Sequence, residues 1–148
     1  MFLRRDENSL VLVDTNMSSP LCWPTDCGKN ETGGGNISSP LYPNNYPDGV
    51  KCVWVLVAPV NHTVKLDLEV FHLEKDKKCF YDYMEFFDGD TEEHHLIRER
   101  MCGRNVSLPQ TIESTGQKLM VVFHSDKSVN DKGFEAVWET KKMSKKIV

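Results

Sequence analysis

The chain has 148 residues, of which 39% are hydrophobic, and this size is typical of one folded domain with short extensions. Its formal net charge of −4 argues against a nucleic-acid partner, because phosphate groups favour clustered lysine and arginine side chains. No apolar run approaches the roughly 20 residues that a membrane-spanning helix needs, so the sequence predicts no transmembrane segment.

Residues 1–26 show no sustained periodicity and are interpreted as a linker or as a fragment of a preceding region. The N-terminus carries arginines but lacks the apolar core of a signal peptide, so a secreted protein with this sequence is expected to be a fragment or to have a wrongly placed start. Cys22 is the odd cysteine of this segment. It could bond to a neighbouring domain or a second chain, and the simpler interpretation is a partner in a truncated neighbour.

The pattern of residues 27–139 is that of a β domain, with turn clusters at 33–35 and 43–49. Residues 52–58 are apolar on both faces, which predicts a buried central strand. Residues 64–70 alternate apolar and polar side chains, which predicts a half-buried strand with Val70 facing inward. The predicted strands cover residues 37–40, 52–58, 64–70, 83–87, 118–124 and 134–138.

The number and spacing of these strands, without a convincing amphipathic helix, favour an all-β sandwich or barrel. The first strand contains Pro40, which cannot donate a ladder hydrogen bond and therefore predicts a position at a sheet edge. Residues 140–148 contain four lysines and are interpreted as a basic, disordered tail.

The cysteines and the sequons both point to an extracellular location. Cys27, Cys52, Cys79 and Cys102 form no CxxC pair, which argues against a zinc site, and they allow three disulfide pairings. Disulfides are typical of proteins outside the cytosol. Five N-x-[ST] sequons in turn-like sequence support that location and predict glycosylation at Asn16, Asn30, Asn36, Asn61 and Asn105.

Three carboxylates are candidates for a cation site. Glu74 and Asp82 flank Cys79, and Asp126 follows a distant strand. If the strands around Leu68 and Val121 share a sheet end, the three carboxylates converge and repel one another. Ca²⁺ would relieve that repulsion, because it accepts six to eight oxygen ligands in flexible geometry. Solvated loop charge is the alternative, and spacing alone favours it.

Catalytic motifs are not found in the sequence. There is no G-x-S-x-G or H-E-x-x-H pattern, and His94-His95 has no metal-ligand spacing. His124, Ser125 and Asp126 have the composition of a catalytic triad, but adjacent residues of one strand point to opposite faces. The sequence therefore predicts no enzymatic activity.

A series of short motifs resembles a CUB domain, beginning with Cys27-Gly28, the run from Gly35 to Pro47, and Cys52-Val53-Trp54. The series continues in unbroken order through residues 79–85, 88–89, 102–103, 123–126 and 133–134. The resemblance covers about residues 27–139. It implies a jelly-roll-like β-sandwich of two antiparallel sheets, with disulfides Cys27–Cys52 and Cys79–Cys102.

The resemblance also implies a calcium site at one end of the sandwich. The implied ligands and supporting residues are Glu74, Asp82, Asp126, Ser128, the carbonyl of Val129, and Tyr46 as the support of the acidic ligands. In relatives these carboxylates often accept a lysine or arginine of a protein partner. The expected function is thus extracellular, Ca²⁺-dependent protein binding by a module of a larger protein.

Two other functions remain open at this stage. The domain could be a non-catalytic exosite of a secreted metalloprotease or serine protease, in which case the parent gene would encode the protease domain nearby. It could also bind carbohydrate or glycosaminoglycan, which would call for an exposed basic or aromatic patch. The lysines of the tail are the main feature that the sequence offers for such a patch.

Overall fold

The structure, a computed structural model, describes residues 5–6, 9–10, 26–104 and 106–144. Asn16, Cys22, Asn105 and residues 145–148 therefore lie outside the described residues, together with the predictions made for them. None of the described segments forms a helix that could cross a membrane. The strands are β1 (Arg5–Asp6), β2 (Ser9–Leu10), β3 (Asp26–Cys27), β4 (Asn30–Thr32), β5 (Gly35–Ser38), β6 (Lys51–Val57), β7 (His62–His72), β8 (Tyr83–Phe87), β9 (Gln110–Glu113), β10 (Lys118–His124) and β11 (Gly133–Lys142).

The strands from β3 onward form two sheets. The first sheet has the order β3-β6-β10-β8, with β4 also paired to β6, and the second has the order β5-β11-β7-β9. All pairs of the second sheet are antiparallel, whereas β3 and β4 run parallel to β6. Strands β1 and β2 pair only with each other. The predicted fold class, a β-sandwich of two mainly antiparallel sheets, is confirmed.

The main core lies between the two sheets. Trp54 of the first sheet packs edge-on against Phe134 of the second sheet, with ring centroids 5.6 Å apart. Phe71, Phe86 and Trp138 are likewise almost fully buried. Each such side chain stabilises the fold by about 1.5–3 kcal/mol relative to full exposure. The strand predicted at residues 37–40 corresponds to β5, which lies at an edge of the second sheet as expected, but Pro40 follows β5 and lies in a turn.

The inward alternation of β7 changes phase before the strand ends. Leu68 pairs with Ala136, but Val70 pairs with the preceding residue of β11, so Glu69 is an extra residue in β7. The prediction that Val70 faces the core is therefore wrong: it is half-buried, and Phe71 and Leu73 occupy the core instead. A bulge of one residue reverses the face of every residue that follows it.

Two sequence assignments change at the level of secondary structure. Strand β11 extends to Lys142, so residues 140–142, which the sequence assigned to the tail, belong to the second sheet. Asn30 begins β4 and Asn36 lies within β5, so these sequons are in strands rather than in turns. Both asparagines are nevertheless exposed, as is Asn61 in the turn between β6 and β7.

Candidate metal centre

Three carboxylates meet at one end of the sandwich, and we call them the metal centre: Glu74, Asp82 and Asp126. One oxygen of each lies within 4.8 Å of the oxygens of the other two. Glu74 follows β7 of the second sheet, whereas Asp82 precedes β8 and Asp126 follows β10, both of the first sheet. The strands around Leu68 and Val121 therefore do not share a sheet, and the carboxylates converge across the two sheets instead.

Asp82 is held in place by two hydrogen bonds. Its side chain is 1% exposed. The hydroxyl of Tyr46 donates to Oδ2 of Asp82 at 2.6 Å, and the amide of Asp126 donates to Oδ1 at 2.8 Å. These bonds fix the orientation of the carboxylate and leave its remaining lone pairs for a cation.

Tyr46 connects two members of the metal centre. Its hydroxyl donates to Asp82 and accepts a bond from the amide of Glu74 at 3.1 Å. The ring is fully buried and packs edge-on against Phe123, with centroids 5.0 Å apart. Burial raises the pKa of this phenol, so it remains a hydrogen-bond donor at neutral pH. Tyr46 therefore has a geometry suited to holding the carboxylate of Asp82 and the backbone of Glu74 in position.

The carboxylates are electrostatically unfavourable when no cation is bound. Burial raises the pKa of Asp82 to about 6, and the nearby charge of Asp126 adds to this rise. Burial also raises the pKa of Glu74, and the charges of Asp82 and Asp126 raise it further. The described residues place no lysine or arginine within salt-bridge distance of these three carboxylates. Their mutual repulsion is therefore uncompensated by an ion pair.

One carboxylate oxygen lacks the partner that its burial requires. Oε1 of Glu74 is buried and has no hydrogen-bond partner among the described residues. A buried acceptor without a partner costs about 1–3 kcal/mol. A bound cation would satisfy it, and a site of oxygen ligands alone suits Ca²⁺ rather than Zn²⁺. The residues present therefore fit a calcium ion.

The loop after β10 carries the other expected ligands. The amide of Ser128 donates to Oδ1 of Asp126 at 3.3 Å, which folds the loop back towards the carboxylate. Val129 follows with a positive φ of 56°. Ligation by the side chain of Ser128 and the carbonyl of Val129 remains a prediction.

Asp76, which lies near Glu74 in sequence, has a different role. Its Oδ2 accepts bonds from the amides of Lys78 at 3.2 Å and Phe80 at 2.9 Å. This carboxylate therefore stabilises the turn that leads to Cys79.

An ion pair behind the metal centre was not predicted from the sequence. Arg104 donates to both carboxylate oxygens of Asp131, at 2.6 and 2.8 Å, and lowers the pKa of that carboxyl group. The carbonyl of Asp131 accepts a bond from the amide of Tyr46 at 3.0 Å. The amide of Gly103 donates to the carbonyl of Glu74 at 3.3 Å. The pair therefore links the loops on both sides of the centre.

Disulfides link the loops and strands around this end. Cys79 is bonded to Cys102, which joins the Glu74–Asp82 loop to the segment that carries Arg104. Cys27 is bonded to Cys52, which joins β3 to β6. These are the two pairings that the resemblance implies.

Comparison with known proteins identifies the family. The sequence profile of the CUB domain matches residues 27–138. This chain belongs to the CUB domain family. It is 43% identical over 111 residues to "Bone morphogenetic protein 1 homolog" of Strongylocentrotus purpuratus, an alignment that covers 74% of this chain and 17% of that protein. The chain thus spans about a sixth of the length of that relative.

Solved structures agree with this assignment. The full extracellular region of zebrafish Gpr126/Adgrg6 has a TM-score of 0.68 and 29% identity, over 81% of this chain and 15% of that one. The MASP-1 CUB2 domain, crystallised bound to Ca²⁺, has a TM-score of 0.62 and 25% identity, over 76% of this chain and 96% of that one. CUB domains are non-catalytic, and membership of the family indicates an extracellular protein-interaction module.

Proposed function

We propose that this CUB domain binds Ca²⁺ through Glu74, Asp82 and Asp126, and that the loaded site binds a lysine or arginine side chain of an extracellular protein partner. The observation that carries the proposal is the convergence of three carboxylates within 4.8 Å, one of them with a buried, unpaired oxygen. The Ca²⁺-bound crystal structure of the MASP-1 CUB2 domain supports the choice of metal.

The charge balance of the centre explains why a basic partner suits it. Three carboxylates carry more negative charge than one divalent cation neutralises, so a loaded site keeps a net negative charge. The ion would hold the acidic loops in place, with the hydroxyl of Ser128 and the carbonyl of Val129 as further oxygen ligands. Carboxylate lone pairs that are not used by the ion would accept charge-assisted hydrogen bonds from an ammonium or guanidinium group.

Thermal unfolding with and without Ca²⁺ tests the metal centre. A ligand that binds only the native state at about 100 times its Kd stabilises it by about 2.7 kcal/mol. We expect Ca²⁺ to raise the unfolding temperature of the wild type and to have no effect on Asp126→Ala. Asp90→Ala is the matched control, because Asp90 lies at the opposite end of the sandwich beside Lys118. A wild-type transition that is the same in millimolar Ca²⁺ and in chelator would refute calcium binding.

A role as an exosite of a larger enzyme is a second candidate. Some relatives of this domain come from enzyme-containing parents, and this chain spans only a small part of the relatives it matches. The open reading frame of the parent protein tests the idea, because the exosite role requires a protease domain in the same protein. A carbohydrate-binding role would require an exposed basic or aromatic patch, and the first lysine of the predicted tail, Lys141, lies in β11 beside Glu113.

We also propose that glycans at Asn30, Asn36 and Asn61 are compatible with partner binding. All three side chains are exposed. Asn61 precedes β7, whereas Glu74 follows it, so a glycan on Asn61 would project from the end opposite the metal centre. Mass spectrometry of the protein from a secretory host, before and after glycosidase treatment, tests which sites are occupied.

A further inference from the structure

Val129 has a backbone conformation that does not suit its side chain. Its φ of 56° lies in the left-handed region, where a β-branched residue is unfavourable. Its side chain is also 61% exposed, so burial offers little compensation for the strain. Leu41, Asn61 and Cys79 also have a positive φ, of 67°, 64° and 53°, but none of them is β-branched, and asparagine belongs to a type that tolerates this conformation. The choice of valine at position 129 therefore needs another explanation.

The surroundings of Val129 suggest that explanation. The residue lines a cavity of about 660 Å³ that opens beside the metal centre, with Glu74 and Asp76 also in its wall. Buried Leu73 contributes an apolar part of the lining. Strained backbone conformations are concentrated at active sites, ligand-binding sites and switch regions. An exposed apolar side chain here is thus in position to contact a ligand that also reaches Glu74.

We propose that Val129 is a partner-contact residue, and that the cavity takes an apolar side chain adjacent in sequence to the basic side chain bound at the metal centre. This inference rests on the proposed function, because the basic residue anchors the segment. The metal centre selects the basic residue, because its three carboxylates lie beyond salt-bridge distance of the described lysines and arginines. The cavity wall carries both signs of charge, since Lys75 and Arg104 lie there with Glu74, Asp76 and Asp131. The apolar neighbour then buries the exposed side chain of Val129. The fitting partner segment is therefore a basic residue flanked by apolar residues.

Peptide titrations followed by NMR test the preference. The probes are two blocked peptides, Gly-Leu-Lys-Leu-Gly and Gly-Ser-Lys-Ser-Gly, added to the domain at saturating Ca²⁺. We expect the wild type to bind the leucine peptide about five- to tenfold more tightly, which corresponds to partial burial of aliphatic groups. In Val129→Asn the preference should fall to about twofold or less. The preference should persist in Val60→Asn, since Val60 is 70% exposed in the β6–β7 turn at the opposite end.

The stability of the same variant supplies an independent result. Asparagine tolerates the left-handed conformation, so Val129→Asn should raise the unfolding temperature in chelator by about 2–6 °C. A lower unfolding temperature would mean that the fold needs the valine, and it would overturn the proposal.

The outcomes also separate this proposal from the proposed function. Equal affinity of the wild type for both peptides, or an unchanged preference in Val129→Asn, would overturn the role of Val129 alone. If neither peptide binds a domain that Ca²⁺ stabilises, the basic-partner half of the proposed function fails together with this inference. Absence of Ca²⁺ stabilisation would reject the metal centre itself.

Discussion

Both ends of the sandwich carry acidic side chains, but only the metal centre brings three of them together without a described lysine or arginine partner. At the far end, which we define by Asp88 and Asp90, Asp88 accepts bonds from the amide and hydroxyl of Thr115 at 2.9 and 2.6 Å. Asp90 lies 3.1 Å from the ammonium of Lys118. At the metal centre the carboxylates of Glu74 and Asp126 face Asp82 instead.

The two ends therefore differ in electrostatics as well as in geometry. The hydrogen bond from Lys118 lowers the pKa of Asp90, whereas burial raises the pKa of Asp82 to about 6. A lowered carboxyl pKa indicates that the protein stabilises the charge, and a raised one indicates that it does not. A candidate cation site therefore differs from ordinary surface charge in that the fold supplies no positive charge to offset its carboxylates.

Replacing one carboxylate at each end with alanine should give the largest difference in calcium affinity. Asp82→Ala removes a ligand and leaves the hydroxyl of Tyr46 without its acceptor. We expect it to lower the calcium affinity at least about 100-fold and to destabilise the domain by about 1–3 kcal/mol. Asp88→Ala should destabilise the domain without changing the calcium affinity. Isothermal titration calorimetry and chemical denaturation measure the two quantities, and equal loss of calcium binding in both variants would contradict the comparison.

Removing the hydroxyl of Tyr46 at the metal centre should lower the calcium affinity by a smaller factor. Tyr46→Phe keeps the buried ring but removes the donor to Asp82, so the carboxylate loses part of its orientation. We expect the calcium affinity to fall about tenfold, the lower range for residues that support metal ligands. Tyr83→Phe is the control, because Tyr83 begins β8 next to Asp82 but its hydroxyl takes no part in the hydrogen bonds of the centre. Unchanged affinity in Tyr46→Phe would show that Asp82 needs no such support.

Acidification should lower the calcium affinity by a factor equal to or smaller than that expected for Tyr46→Phe. The raised pKa of Asp82 means that the calcium-free native state holds a proton between about pH 4 and 6 that the unfolded chain has released. Ionisation of the buried Asp82 lowers the free energy of unfolding. This loss is absent below about pH 4 and complete above about pH 6, so the free energy of unfolding in chelator should fall as the pH rises through this window. Calcium must displace that proton, and its affinity should fall up to about tenfold between pH 7.5 and 5.

Calorimetry at the two pH values, with unfolding in chelator at each, measures this dependence. The far end provides the contrast, because the lowered pKa of Asp90 makes that end lose charge stabilisation only at more acidic pH. Calcium affinity that is independent of pH over this range would show that Asp82 is ionised even without the metal.

Much of the architecture was predictable because the strands that form the core have strong patterns. β6 and β10 are apolar along most of their length, and the structure places them side by side at the centre of the first sheet. The edge strand β9 was missed, because Ile112 is the one apolar residue of its four. The bulge at Glu69 was also missed, since the alternation up to Val70 is regular in sequence and only the pairing with β11 reveals the extra residue.

The candidate site depended on the family resemblance more than on spacing. Glu74, Asp82 and Asp126 come from three loops and two sheets, so no local pattern places them together. The pair of Arg104 and Asp131 is 27 residues apart in sequence and gave no signal at all. Such contacts depend on how loops meet in three dimensions, which periodicity does not encode.

The origin of the ligands in both sheets has a mechanical consequence. If the domain binds calcium as proposed, the ion joins Glu74 of the second sheet to Asp82 and Asp126 of the first. A force that separates the two layers at this end would have to break metal coordination before it exposed the core. The lifetime of the domain under tension within a larger chain would then increase with the extracellular calcium concentration.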